Sequence, residues 1–247
     1  KTLFTTSKLP NRNMTDEEFM DYKIDWLITN KKNKMISDFL NKNKNFPNKD
    51  KIIKYLIDQN IAKANLKDAC EKISLINNDL KNSYLNQFKV ICLINENKKN
   101  EAQLLFDLLR EQKLTTKFFD KKINYILGIS NKIDPKIDDS NLLNFYLSSI
   151  AIPDFKYEPN KKTNKKIWEY LTAANLININ DFENNEQIKE LEIAANNNSL
   201  SKSYILEVYK NIKFSFNDLL NADEVHKTLE PINARALVYQ KVLLSDN

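Results

Sequence analysis

The chain holds one glycine, Gly128, among its 247 residues. Glycine lets a backbone take left-handed dihedrals and come close to a ligand. With a single glycine there is no Gly-rich loop, which excludes the P-loop and the dinucleotide fingerprint in their usual forms. Tight primed hairpin turns also favour glycine, so a β-rich fold is disfavoured. Helices need none in their interiors, and the apolar residues here recur at helical spacing.

TDEE (15–18) reads as a helix start, with Thr15 as cap and Glu18 completing a capping box. Phe19, Tyr22, Ile24, Trp26 and Leu27 give that helix a broad apolar face. The same pattern returns along the chain. Asp79 reads as the cap of a helix carrying Leu85, Phe88, Val90 and Ile91. Gly128 suits a helix end, and Pro231 suits the first turn of the last helix. Helix starts fall about 13–20 residues apart, so a pair takes about 35, the size of a tetratricopeptide-like unit. Ala102 and Phe106 repeat the Ala-x-x-x-Phe step of such a unit, whereas Val90 departs from the small residue expected in its first helix. The expectation is an all-α chain, an α-solenoid of antiparallel helix pairs with about 11–13 helices. Its parts would be a tail or arm (1–14), a helical repeat region (15–152), a linker or elbow (153–162) and a C-terminal helical region (163–247). The linker is placed where Pro153 and Pro159 bracket a polar stretch.

QLLFDLLREQ (103–112) is the densest apolar run. Leu104, Leu105, Phe106, Leu108 and Leu109 cover more than one stripe of a helix, which suggests packing on two sides. Arg110 falls in the last turn, where a cation suits the helix dipole, within reach of Asp107.

Composition narrows function further. Hydrophobic residues make up 42% of the chain, enough for a folded core rather than a disordered chain. No apolar run is long enough to span a membrane. The chain opens on Lys1, as a processed or truncated chain does. The net charge is +5, yet only Arg12, Arg110 and Arg235 are arginine. Specific phosphate and base readers lean on the planar guanidinium, so the lysines read as a solvated surface and nucleic acid is disfavoured as a partner.

One histidine and two cysteines make no closed zinc site by themselves. Acid–base chemistry would have to pass through His226, beside Asp223 and Glu224. No nucleophile motif accompanies it, so the expectation is a non-catalytic protein without a cofactor. Asp16, Glu17 and Glu18, and likewise Asp138 and Asp139, read as helix-start charges rather than an acid–base pair. Cys70 and Cys92 sit in apolar patterns on consecutive helices. They read as buried thiols, or as one disulfide in an oxidising compartment. Counting from a turn near Asn78 offsets the two by a helical turn or more. Lys161, Lys162, Lys165 and Lys166, with Phe155, Tyr157 and Trp168, form a candidate docking strip for another protein.

AQLLFDLLREQ (102–112) and NARALVYQKVL (233–243), with the helices of Cys70 and Cys92, resemble a poorly characterised family of helix-rich alphaproteobacterial proteins. The resemblance implies a tetratricopeptide-like α-solenoid and a periplasmic location. It implies no activity, cofactor or catalytic residue. The leading expectation is therefore a scaffold or interaction module. The alternatives are an enzyme accessory domain using His226, and a lysine-rich helical nucleic-acid binder.

Overall fold

The structure, a computed structural model, describes residues 13–42, 49–75, 82–160, 162–177, 184–198 and 200–245. Among these residues every regular element is a helix and no strand occurs. They form two compact units. The first contains α1 (Asp16–Thr29), α2 (Asn33–Lys42), α3 (Lys49–Ile61), α4 (Leu66–Ile73), α5 (Ser83–Asn95), α6 (Lys99–Glu111) and α7 (Lys117–Ile126). Helix α8 (Leu142–Ala151) is divided: Phe145 belongs to the second unit and Tyr146–Ile152 to the first. The second unit holds α9 (Lys165–Ala173), α10 (Asn185–Asn196), α11 (Lys202–Asn211), α12 (Phe216–Leu220), α13 (Ala222–Val225), a 3-10 turn (His226–Thr228) and α14 (Pro231–Ser245). Among the described residues there are fourteen α-helices, more than the roughly 11–13 expected, and α12 and α13 are the shortest of them.

In the first unit each helix from α1 to α6 packs on the next, and α3 also touches α1 and α5. Helix α5 is covered on nearly every side, with Leu85, Asn86, Gln87, Phe88, Val90, Ile91 and Cys92 buried. Phe106 of α6 and Phe119 of α7 are buried with their ring centroids 6.1 Å apart. Helix α6 differs from its reading as a helix packed on two sides. Ala102, Phe106 and Leu109 are buried, whereas Leu104 is 65% exposed and Leu108 is also exposed. Arg110 lies 3.8 Å from Asp107 and 5.4 Å from the centre of the Phe106 ring, an end-fastener on a half-exposed helix. A disulfide joins Cys70 to Cys92, with Cα atoms 5.5 Å apart. The offset counted from the sequence is absent. Helix α4 is short and ends at Ile73.

Helix starts follow side-chain chemistry. Thr15 and Glu18 form the capping box, with Thr15 N–H donating to Glu18 at 2.7 Å and Glu18 N–H to Thr15 Oγ1 at 3.2 Å. Asp79 lies outside the described residues. Helix α5 is capped by Asn82, whose Oδ1 accepts from Leu85 N–H at 3.1 Å.

Helix ends carry the consequence of a chain nearly free of glycine. Lys31, Asn97, Lys113, Gly128 and Asn175 take positive φ at the ends of α1, α5, α6, α7 and α9. Each closes a Schellman motif. At α6, Leu114 N–H donates to Leu109 O at 2.9 Å and Lys113 N–H to Arg110 O at 3.0 Å. At α7, Ile129 N–H donates to Asn124 O and Gly128 N–H to Tyr125 O. Only one of these five positions is glycine. The others hold an L residue in a conformation that disfavours a Cβ.

The cost is measurable. Lys113→Gly should raise the unfolding free energy by about 1 kcal/mol, and Gly128→Ala should lower it by about as much. The alanine effect would come from dihedral strain alone, since a Cβ at Gly128 meets no atom within 4 Å. Urea unfolding of the two variants checks both signs; destabilisation by Lys113→Gly would contradict this reading of the helix ends.

Candidate functional site: a groove in the second unit

Between α8 and α9 the chain runs as IPDFKYEPN (152–160) without helix. Phe155, Tyr157 and Pro159 are half-buried, whereas Lys156, Glu158 and Asn160 are exposed. That period of two is the signature of a strand-like segment. Pro159 also biases Glu158 toward extended backbone. Its inner side chains are anchored on buried Phe145. The rings of Phe155 and Tyr157 stand edge-on to it at 5.6 and 4.8 Å, and Tyr170 of α9 does so at 6.1 Å. Tyr157 Oη donates to Asp139 at 2.7 Å and lies 3.3 Å from Thr163 Oγ1. Burial raises the Tyr157 phenol above its ordinary value; the Thr163 hydroxyl opposes this and the Asp139 carboxylate adds to it.

A turn ends the segment. Asn160 N–H donates to Thr163 Oγ1 and Thr163 N–H to Asn160 O. Asn164 then caps α9 through Lys166 N–H. Among the described residues, the main-chain N–H and C=O groups of Phe155–Glu158 have no hydrogen-bonding partner. The segment is held in place by its side chains while its backbone stays unpaired.

It forms one side of a groove of about 780 Å³. Glu186, Lys189, Glu190 and Ile193 of α10 line it as well, together with Leu176 and Ile177. Among the described residues its ionisable side chains are three carboxylates (Glu158, Glu186, Glu190) and two ammonium groups (Lys156, Lys189).

The lining helix is fixed from behind. Trp168, Leu191, Ala194, Ala195, Val208, Tyr209 and Ala236 belong to one buried core that joins α9, α10, α11 and α14. Glu192, on α10, accepts from Tyr209 Oη and from Arg235, whose Nε and Nη2 lie 3.0 and 2.5 Å from its two oxygens. Such a bidentate guanidinium–carboxylate pair fixes geometry as well as adding attraction. Gln240 of α14 donates to the carbonyls of Tyr209 and Ile212, both at 2.7 Å, where α11 ends.

The residues expected as a docking strip therefore part company. Phe155 and Tyr157 come together on the groove. Trp168 is 0% exposed in the core, so it offers no surface. Its Nε1 has no acceptor among the described residues. Lys165 is half-buried and its ammonium donates to Asn198 O, near the end of α10. Lys162 is exposed, Lys166 is half-buried, and Lys161 lies outside the described residues. Ile193 of α10 lines the groove. Its place off the Ile188–Leu191–Ala195 stripe is the signal that distinguishes it.

His226 lies in the 3-10 turn before α14. Its Nδ1 lies 2.8 Å from Ala222 O, an acceptor only, so this nitrogen carries the proton. Glu224 instead binds Lys227 at 2.9 and 3.0 Å. The carboxylates of 138–139 serve structure: Asp138 accepts from Ser140 N–H and Asn144, and Asp139 holds Tyr157. Among the described residues no group of histidine, cysteine and carboxylate side chains is placed to hold a metal ion.

The first unit has a smaller cavity of about 340 Å³, lined by Lys121, Asn124, Ser130, Lys132, Ile133, Asp134 and Pro135. Nearby Lys122 is almost fully buried, and Nζ donates to Asp134 O at 2.5 Å. Burial lowers its pKa, which Asp134 partly offsets. Lys122 acts there as a tie for the 129–139 loop. No helix among the described residues is long and apolar enough to cross a membrane. No protein-family model, curated protein or solved structure matches this chain, so the alphaproteobacterial resemblance gains no support from them.

The Tyr209–Glu192–Arg235 lock has a pH signature. Burial first, then the bond to Glu192, pushes the Tyr209 phenol up to about 12, against 10.0 in an unfolded chain. The folded state therefore keeps the proton where the unfolded state has lost it. Its stabilising effect is complete below pH 10 and is lost as the pH climbs to about 12. Urea unfolding at stepped pH should show that fall, and a shallower one in Tyr209→Phe. Identical slopes in both proteins would contradict the assignment.

Proposed function

We propose that this protein is a non-catalytic, all-α interaction module that binds another protein through the groove of its second unit. The observation that carries this is the groove itself. It joins apolar side chains (Leu176, Ile177, Ile193) to charges of both signs, on a frame held by a buried core and a bidentate ion pair. Apolar area with a charged rim is the composition of protein-binding surfaces. In the same reading the helices of the first unit stack as tetratricopeptide-like pairs. The contacts of α3 with both α1 and α5 support this, because next-but-one helices meet when such pairs stack.

Two other readings fare worse. An enzyme using His226 would need a partner carboxylate, and the neighbouring Glu224 binds Lys227 instead. A phosphate-binding surface would need an excess of cations, and the groove has no such excess among its described lining residues. No cofactor enters the proposed role.

The test is comparative. Cross-linked pull-downs from extracts of the source organism use the wild-type chain, Ile193→Arg and His226→Ala. The expected result is a protein captured by wild type and by His226→Ala, and reduced at least about tenfold by a cation set in the groove. Capture that ignores Ile193→Arg, or no capture by wild type under cross-linking, would overturn the proposal.

A further inference from the structure

We infer that the groove's partner is an extended, basic peptide segment that adds to Phe155–Glu158 as a β-strand, main chain to main chain. This rests on the reading of the groove as a protein-binding site and specifies what binds there.

The first ground is the backbone. Phe155–Glu158 alternates inward and outward side chains like a strand, yet no strand lies beside it among the described residues. Its N–H and C=O groups are unpaired there, and its four residues line the groove. A partner covering this wall must satisfy them or leave them buried without hydrogen bonds, which is costly. A helix satisfies its own main chain and would leave them orphaned. An extended peptide satisfies them, which is the logic of strand addition.

The second ground is preorganisation. The aromatic clamp on Phe145, the Tyr157–Asp139 bond and the Asn160–Thr163 turn already hold the segment. Binding orders little of it, so little affinity is lost to conformational entropy. Pro153 and Pro159 bound the edge, since neither has an N–H to donate. The added strand is therefore short.

The third ground is charge. Glu186 and Glu190 stand one helical turn apart on α10 and line the groove with Glu158, against Lys156 and Lys189. The complementary peptide has apolar residues at every second position, to meet Leu176, Ile177 and Ile193, and carries Lys or Arg between them.

The probe is a phage-displayed library of random linear peptides panned on the full chain. Enriched peptides are then synthesised and measured by fluorescence anisotropy against wild type, Ile193→Arg and Glu186→Lys. Each peptide amide is N-methylated in turn. The inference expects apolar residues at a spacing of two with basic residues between them. It expects at least about tenfold weakening by N-methylation at alternate positions and little at the others, and the same loss with Ile193→Arg. The exposed Glu186→Lys change, which leaves the core untouched, should weaken the basic peptides several-fold. Peptides with apolar residues three and four apart that Ile193→Arg still blocks would overturn strand addition and leave the protein-binding role standing. A wild-type chain that enriches no peptide, or binding indifferent to both variants, would overturn the inference; the pull-down then decides the role beneath it.

Discussion

Every helix must satisfy its last carbonyls, and this chain does so almost without glycine. At α1, α5, α6, α7 and α9 the closing residue is left-handed, and only at α7 is it Gly128. Asparagine tolerates that conformation better than most residues, and lysine pays more for it. These terminations decide where the chain leaves each helix. The Asn175 end of α9 delivers Leu176 and Ile177 to the groove, and the left-handed Asn198 after α10 offers the carbonyl that holds Lys165. One edge of the groove is thus set by how α9 stops.

Behind that edge is an imbalance. The second unit buries its apolar side chains in one core and satisfies its half-buried carboxylate, Glu192, with a tyrosine and an arginine. The segment from Phe155 to Glu158 follows a different rule: its side chains are anchored and its main chain is not. Solvated in the free protein, those groups cost nothing; covered by a partner, they demand one of matching geometry. Selectivity would then come from backbone geometry and side-chain alternation rather than from a reacting atom. His226 and the paired carboxylates, the chain's candidates for chemistry, are each engaged in holding local structure.

The helical character was legible in the sequence because it rests on local rules. The Thr15–Glu18 box and the Gly128 helix end need only neighbouring residues to form, and both are present. Features set by tertiary packing were not legible in the same way. Trp168 looks like an interface aromatic beside a lysine cluster, yet it fills the core, because the apolar face of α9 takes it inward with Ile167 and Leu171. Leu104 and Leu108 look like core on an apolar helix and stand exposed. Cap choice turned on where α5 begins, so Asn82 serves where Asp79 had seemed apt. Part of the site was in plain view: FKYEPN alternates large apolar and polar residues, a strand pattern that the flanking prolines had marked only as a linker.

Amide hydrogen exchange resolved to single residues on the free, full-length chain tests the central claim most directly. The account predicts that the amides of Phe155, Lys156, Tyr157 and Glu158 exchange near the rate of an unstructured peptide. The amides of Leu191, Ala194 and Ala195 in α10 should be strongly protected. Strong protection at 155–158 in the free protein would mean that this edge is already paired, and the account of the groove would be wrong.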